Sequence, residues 1–164
     1  MELLKRDHAP VTPEAWTQID DEATRVLQLN LVGRKLVDLD GPHGWQYAAG
    51  NTGHLTLRTD GGRGVPWGVR EVAPLIELRV PFELPMMELD TASRGAVLDL
   101  PAVVRAAKKI AHAEDNAIFN GFKGGGIEGI IPTAVHPALT IPDDYADYPS
   151  VVVDAAETLR SAEE

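Results

Sequence analysis

Apolar residues recur at two periods along this chain, and the switches between them mark its elements. Trp16, Ile19, Ala23, Val26 and Leu27 follow at steps of three and four, and Leu31 continues the stripe, which predicts an amphipathic helix. Thr12-Pro13-Glu14 supplies its start: a capping hydroxyl, a proline suited to the first turn, and a carboxylate that complements the helix dipole. Gly33 is the expected C-cap. Arg34 to Leu39 alternates and predicts a short strand, and Gly41-Pro42-His43-Gly44 predicts a turn.

The longest alternation lies at Leu75–Leu84. Ile76, Leu78, Val80, Phe82 and Leu84 alternate with Glu77, Arg79, Pro81 and Glu83, the period of a strand with one apolar face. Pro74, Pro81 and Pro85 punctuate it, and proline removes a ladder donor, so an edge position is expected. Upstream, Leu55 and Leu57 alternate within a stretch rich in Gly, Thr and Asp, and Asp60-Gly61-Gly62-Arg63-Gly64 predicts a turn. Pairing that strand with Leu75–Leu84 predicts a hairpin arm of roughly 33 Å, at about 3.3 Å per residue. A two-stranded hairpin is marginal alone in water, so the arm is expected to lie on a neighbouring surface.

A second helix is predicted from an Asp99 cap, with Pro101 in its first turn, to Phe122. Val103, Ala107, Ile110, Glu114, Ala117 and Ile118 lie along one side, and Ala102, Ala106, Ala111 and Ala113 leave room for close approach. This suits a central spine of roughly 33 Å. Glu114 lies on the apolar stripe and is expected to pair with an Arg or Lys, inside the fold or across an interface. Gly121 and Gly124–Gly126 stop the helix. A loop carrying Pro132, Pro137 and Pro142 follows, then a helix near Pro149 to Arg160 with Val152, Ala155, Ala156 and Leu159 inward.

Composition narrows the function classes. The 164 residues are 44% hydrophobic and carry a formal net charge of -10, a balance that fits a globular chain and argues against nucleic acid as partner. There is no Cys, so disulfides and thiolate metal sites are excluded. The opening lacks the apolar core of a signal peptide, and no apolar run approaches a membrane span, so the cytoplasm is the simplest compartment and no membrane partner is expected.

Catalytic patterns are weak. Ser93, Ser150 and Ser161 lie outside any G-x-S-x-G, and His8, His43, His54, His112 and His136 sit in separate contexts, so no enzyme activity is expected. Gly124 to Gly129 formally matches G-x-G-x-x-G, but the motif closes a helix where a dinucleotide site would open one, and a helix stop is the better reading. His112, Glu114 and Asp115 lack the convergence of a metal site and read as a solvated or interface patch. On this reading neither a cofactor nor a metal is predicted.

The segments LLKRDHAPVTPEAWTQIDDEA, GRKLVDLDGPHGWQYAA, PLIELRVPFEL, ELD, RG and AEDNAIFNGF…GIEGI follow one another in an order that closely resembles the family 1 encapsulin shell proteins, from Glu2 to about Arg160. The resemblance implies an α+β, HK97 phage capsid-like fold and self-assembly into an icosahedral homo-oligomeric nanocompartment. Such a shell encloses cargo enzymes, such as a peroxidase or ferritin-like protein, by a C-terminal targeting peptide. It implies P-domain segments at 1–48 and 93–131 with a spine helix, an E-loop arm at 49–92, and the start of a truncated A-domain at 132–164. On that pattern Leu27, Leu31, Arg34, Leu36 and Asp38 are the cargo-peptide residues, and Arg34 and Asp38 could equally form an i, i+4 ion pair on a strand. Ile76, Leu78, Val80, Phe82, Leu84, Met86 and Met87 are the E-loop residues that meet neighbouring subunits, with the two methionines at the arm tip. Encapsulin subunits are usually longer, so the chain is expected to be an N-terminal portion or split half, needing a complementary C-terminal segment. Some members bind flavin through an E-loop Trp; here Pro85-Met86-Met87-Glu88 stands in that place, and flavin is not expected. The alternative within the same fold is a prophage or viral major capsid protein.

Overall fold

The computed structural model describes residues 5–58 and 66–162. Two compact units are present, Met1–Pro132 and Thr133–Glu164.

In the first unit, helix α1 (Pro13–Asn30) starts as its sequence dictates: Ala15 N donates to the Thr12 hydroxyl at 3.3 Å, and Pro13 fills the first turn. Helices α2 (Met86–Ser93) and α3 (Pro101–Asn120) pack against it. Ala15, Ile19, Ala92, Leu98, Leu100 and Val103 form the core, and Val11, Trp16, Ala23 and Leu84 pack around it. Ala106, Ala107, Ala111 and Ala117 are buried along α3, so the spine is approached through small side chains. Gln18 ties α1 to the lead-in of α3: Leu98 N donates to its side-chain oxygen at 2.8 Å, and its amide donates to Ala96 O at 3.4 Å. Val103 is only 2% exposed. Val103→Ala should therefore cost about 2 kcal/mol in lost transfer energy and cavity. The check is a lower urea midpoint with an unchanged m-value.

The arm is a two-stranded antiparallel ladder, but it is built from other residues than periodicity suggested. Strand β1 (Ala49–Arg58) pairs with β2 (Trp67–Pro74), from Ala49 opposite Pro74 to Arg58 opposite Trp67. The register shifts between Asn51 and Leu55, where Gly53 takes φ +77° and Thr52 donates its hydroxyl to Glu71 O at 2.8 Å. The Asp60–Gly64 turn lies outside the described residues. Leu75–Leu84 is not a strand. Leu75 N makes one further bond, to Ala48 O at 3.0 Å, and the chain then runs extended to Pro85 without a ladder partner. Pro81 removes a donor in the middle of this segment, and Pro85 ends it at the lead-in to the next helix. The alternation reflects a strap laid on the chain's own body. Ile76 lies over Gly125, where an added Cβ would come within 2.5 Å of its Cγ2. Val80 and Phe82 border a groove with Ala102, Arg105, Ala106 and Lys109 of α3, and Leu84 reaches the core.

Four further expectations are corrected. Arg34–Leu39 is no strand: a 3-10 turn, Gly33–Lys35, occupies its first half. Gly33 is not the C-cap, because α1 ends at Asn30 and Leu31 N closes the last turn onto Leu27 O. Asp99 does not cap α3; Leu100 holds that position, without a side-chain bond. Met86 and Met87 open α2 instead of standing at an arm tip, because Pro85 fits the lead-in to a helix whose Leu89 and Ala92 are buried.

The second unit holds helix α5 (Tyr148–Ala162), which begins after a short 3-10 turn, Tyr145–Asp147. A single helical turn, α4 (Ile130–Thr133), precedes it across the boundary of the units. None of the side chains of α5 is buried, so Val152 and Leu159 do not point into a core as expected. Leu139, Ile141, Tyr148, Val151, Val152 and Ala155 line an open apolar cleft of about 250 Å³.

Candidate functional site

The turn that follows α1 gathers most of the peptide-binding candidates, and two adjacent carboxylates on α3 hold it. Asp115 accepts from Val32 N at 3.1 Å and from Gly33 N at 2.8 Å, satisfying the donors that open the 3-10 turn. Glu114 accepts a two-pronged bond from Arg34, with Nε to Oε1 at 2.5 Å and Nη2 to Oε2 at 2.9 Å. The expected partner of Glu114 is thus found inside the fold. That bond, more than the charges of Glu114 and Asp115 acting at a distance, raises the Arg34 pKa above its ordinary value. The turn packs closely on the helix at Gly33: a Cβ would sit 2.7 Å from Ile118 Cδ1, so that side chain would have to shift.

The five candidates therefore differ in what they can do. Arg34 is half-exposed and forked onto Glu114, so the Arg34–Asp38 pairing is absent and Asp38 lies exposed. Leu36 is 68% exposed. Leu27 is half-buried, and Leu31, only 8% exposed, serves the packing of the unit. Sequence reasoning missed Leu29, Val32 and Leu39, which are exposed in the same stretch. The signal was legible for Leu29, which lies off the α1 stripe, but Val32 and Leu39 depended on the turn. Among the described residues no group of three ligating side chains converges, at His112 or elsewhere.

The arm supplies the second candidate surface. Leu55, Leu57, Trp67, Val69 and Val72 are exposed, and β2 buries nothing. Arg70 faces Leu55 across the ladder, and Thr56 Oγ1 donates to the Glu71 carboxylate. Of the strap residues, Leu78 and Phe82 are exposed, Ile76 and Val80 are half-buried, and Leu84 belongs to the core's edge; Met86 and Met87, at the start of α2, are exposed. On the strap Glu77 and Arg79 form a two-pronged pair at 2.6 and 2.8 Å, which lowers the Glu77 pKa and raises that of Arg79. A larger cavity of about 720 Å³, between α1 and the start of α3, is lined by none of the five peptide candidates. Among the described residues, no helix is long and apolar enough to cross a membrane.

The family of encapsulating proteins for peroxidase matches residues 1–164. A type 1 encapsulin shell protein of Rhodospirillum rubrum is 42% identical over 98% of this chain and 60% of the relative. One from Mycobacterium tuberculosis is 42% identical over 99% of this chain and 62% of the relative, and one from Rhodococcus erythropolis is 40% identical with the same coverage. The chain thus spans about three fifths of the length of the curated relatives it matches.

Proposed function

The chain belongs to the family of encapsulating proteins for peroxidase, the type 1 encapsulin shell proteins, and from this premise we propose that it is a non-enzymatic subunit of a self-assembling icosahedral compartment of HK97 capsid-like fold. One observation carries the reading: an arm of two strands with no core of its own, whose apolar residues face solvent. Such an arm needs a neighbour, and in a closed symmetric assembly every copy supplies one. In this reading residues 1–48 and 93–131 build the P-domain, the strands at 49–74 clasp adjoining subunits, and residues 132–164 contribute to the A-domain. A complementary segment, corresponding to the part of the relatives this chain does not span, covers the exposed apolar faces of α5. The cargo is a peroxidase, or a ferritin-like enzyme, captured in the cytoplasm by a C-terminal peptide.

Electron microscopy and light scattering test assembly. Co-expression with the complementary segment of a relative should give closed particles of one size. A monodisperse monomer of the 164-residue chain with a cooperative thermal transition, or mixtures without particles, would overturn the reading.

We put the peptide site at the turn after α1, a reading supported by Arg34, Leu36 and Asp38, which offer a held charge, an exposed leucine and an exposed carboxylate there. Arg34→Ala combined with Asp38→Ala should cut cargo loading severalfold and leave particle size unchanged. Co-purified cargo per shell, quantified on gels, is the measurement, and unchanged loading would sink the assignment.

A further inference from the structure

Two neighbouring acids on one turn of α3 grip two parts of the same short stretch. Asp115 holds the backbone, through Val32 N and Gly33 N, and Glu114 holds the side chain of Arg34. We infer that Glu114 is a positioning residue for peptide capture: by taking both Nε and Nη2 of Arg34, it sets the side chain in one orientation and leaves Nη1 as the donor presented to a peptide. This deepens the reading of Arg34 as a peptide contact and rests on it.

The physical argument has three parts. An unrestrained arginine carries large rotamer freedom, and a bound peptide would have to suppress it. The fork of Glu114 suppresses it beforehand, because a two-pronged guanidinium–carboxylate pair fixes a plane as well as a distance. The pair is also tied to a rigid body. Glu114 and Asp115 lie on the spine helix beside the buried Ala111 and Ala117, and Gly33 lets the turn approach that helix within contact of Ile118. Glu114 itself is less exposed than Arg34, with side chains 24% and 47% accessible, so the acid is the anchor and the arginine the presented group.

The test uses assembled particles and a fluorescent synthetic peptide copying the C-terminal tail of a peroxidase, with hydrogen exchange of residues 31–38 as a second readout. Glu114→Gln keeps the shape and removes the charge. It should weaken peptide binding about fivefold, the worth of a well-formed but partly exposed pair. Exchange of the turn should rise, with particle size and thermal midpoint unchanged. If Glu114→Gln does not assemble, Glu114→Asp, which keeps the charge but shortens its reach, carries the same expectation. The swap Arg34→Glu with Glu114→Arg should restore slow exchange yet bind peptide as weakly as Arg34→Ala. Normal binding by Glu114→Gln beside weak binding by Arg34→Ala overturns the positioning role and leaves the peptide site standing. Normal binding by both removes the site reading and the inference with it.

Discussion

Gly129→Ala should be among the most damaging single substitutions in the first unit, costing about 4 kcal/mol or more, the range reserved for changes that the backbone must move to accept. A Cβ there would collide with Gly121 N, Asn120 C and the Phe119 carbonyl, all backbone atoms that no rotamer change can clear. The close approach exists because α3 stops abruptly. Gly121 takes φ +81° as its C-cap, and the chain then folds back through a bridge between Phe122 and Ile127, with Phe122 N to Ile127 O at 2.9 Å. Gly121→Ala should be harmful too, by about 1–3 kcal/mol from its φ +81°, ψ 168° backbone alone, a region open essentially to glycine, before the 2.8 Å approaches to Gly129 N and Ile127 O are counted. Calorimetry of the assembled protein reads both, with Gly124→Ala as the control. The atoms nearest to a Cβ at Gly124 belong to the Phe122 side chain, at 3.4 Å or more, so a Gly129→Ala midpoint equal to that of Gly124→Ala would refute the argument.

In the proposed shell, charging the arm should abolish assembly while sparing the fold. Leu55 and Leu57 lie two apart on β1 and so share a face, and Leu57 is 72% exposed. Leu55→Asp with Leu57→Asp adds two carboxylates to a surface that carries no buried residue, so the helical body should keep its circular dichroism. In a closed shell the same pair is repeated in every copy: the carboxylate at 55 would face Arg70 across the ladder, but the one at 57, opposite Gly68, would be buried without a counter-charge, at a cost of several kcal/mol each time. The expected result is slow-sedimenting species and empty micrographs. Normal particles from the double variant would show that this face of the arm is not an interface.

Some of this protein was legible residue by residue. The capping hydroxyl of Thr12, the stripe from Trp16 to Leu31, the alanine-lined spine and the stop at Gly121 are local signals, and the structure carries each of them. They succeed because helix starts and stops are decided within one turn by hydrogen bonds to nearby groups. The alternation at Leu75–Leu84 misled for the opposite reason. A period of two says that one face meets apolar surroundings, not that the backbone has a ladder partner, and a strap crossing its own spine helix meets the first condition alone. The arm's pairing moved upstream to Trp67–Pro74, where every residue before Pro74 keeps its donor.

The turn after α1 shows the same limit at the candidate site. The alternation of Arg34 to Leu39 carried no trace of Asp115, which lies about eighty residues away in sequence and settles the backbone there. By itself the sequence determined α1, α3 and α5, the existence of a hairpin arm and, through the order of its motifs, the family. Tertiary structure alone decided which strand completes the arm, which leucines stay exposed and how Arg34 is held. Those outcomes depend on hydrogen bonds and contacts between residues far apart in the chain, which no local pattern encodes.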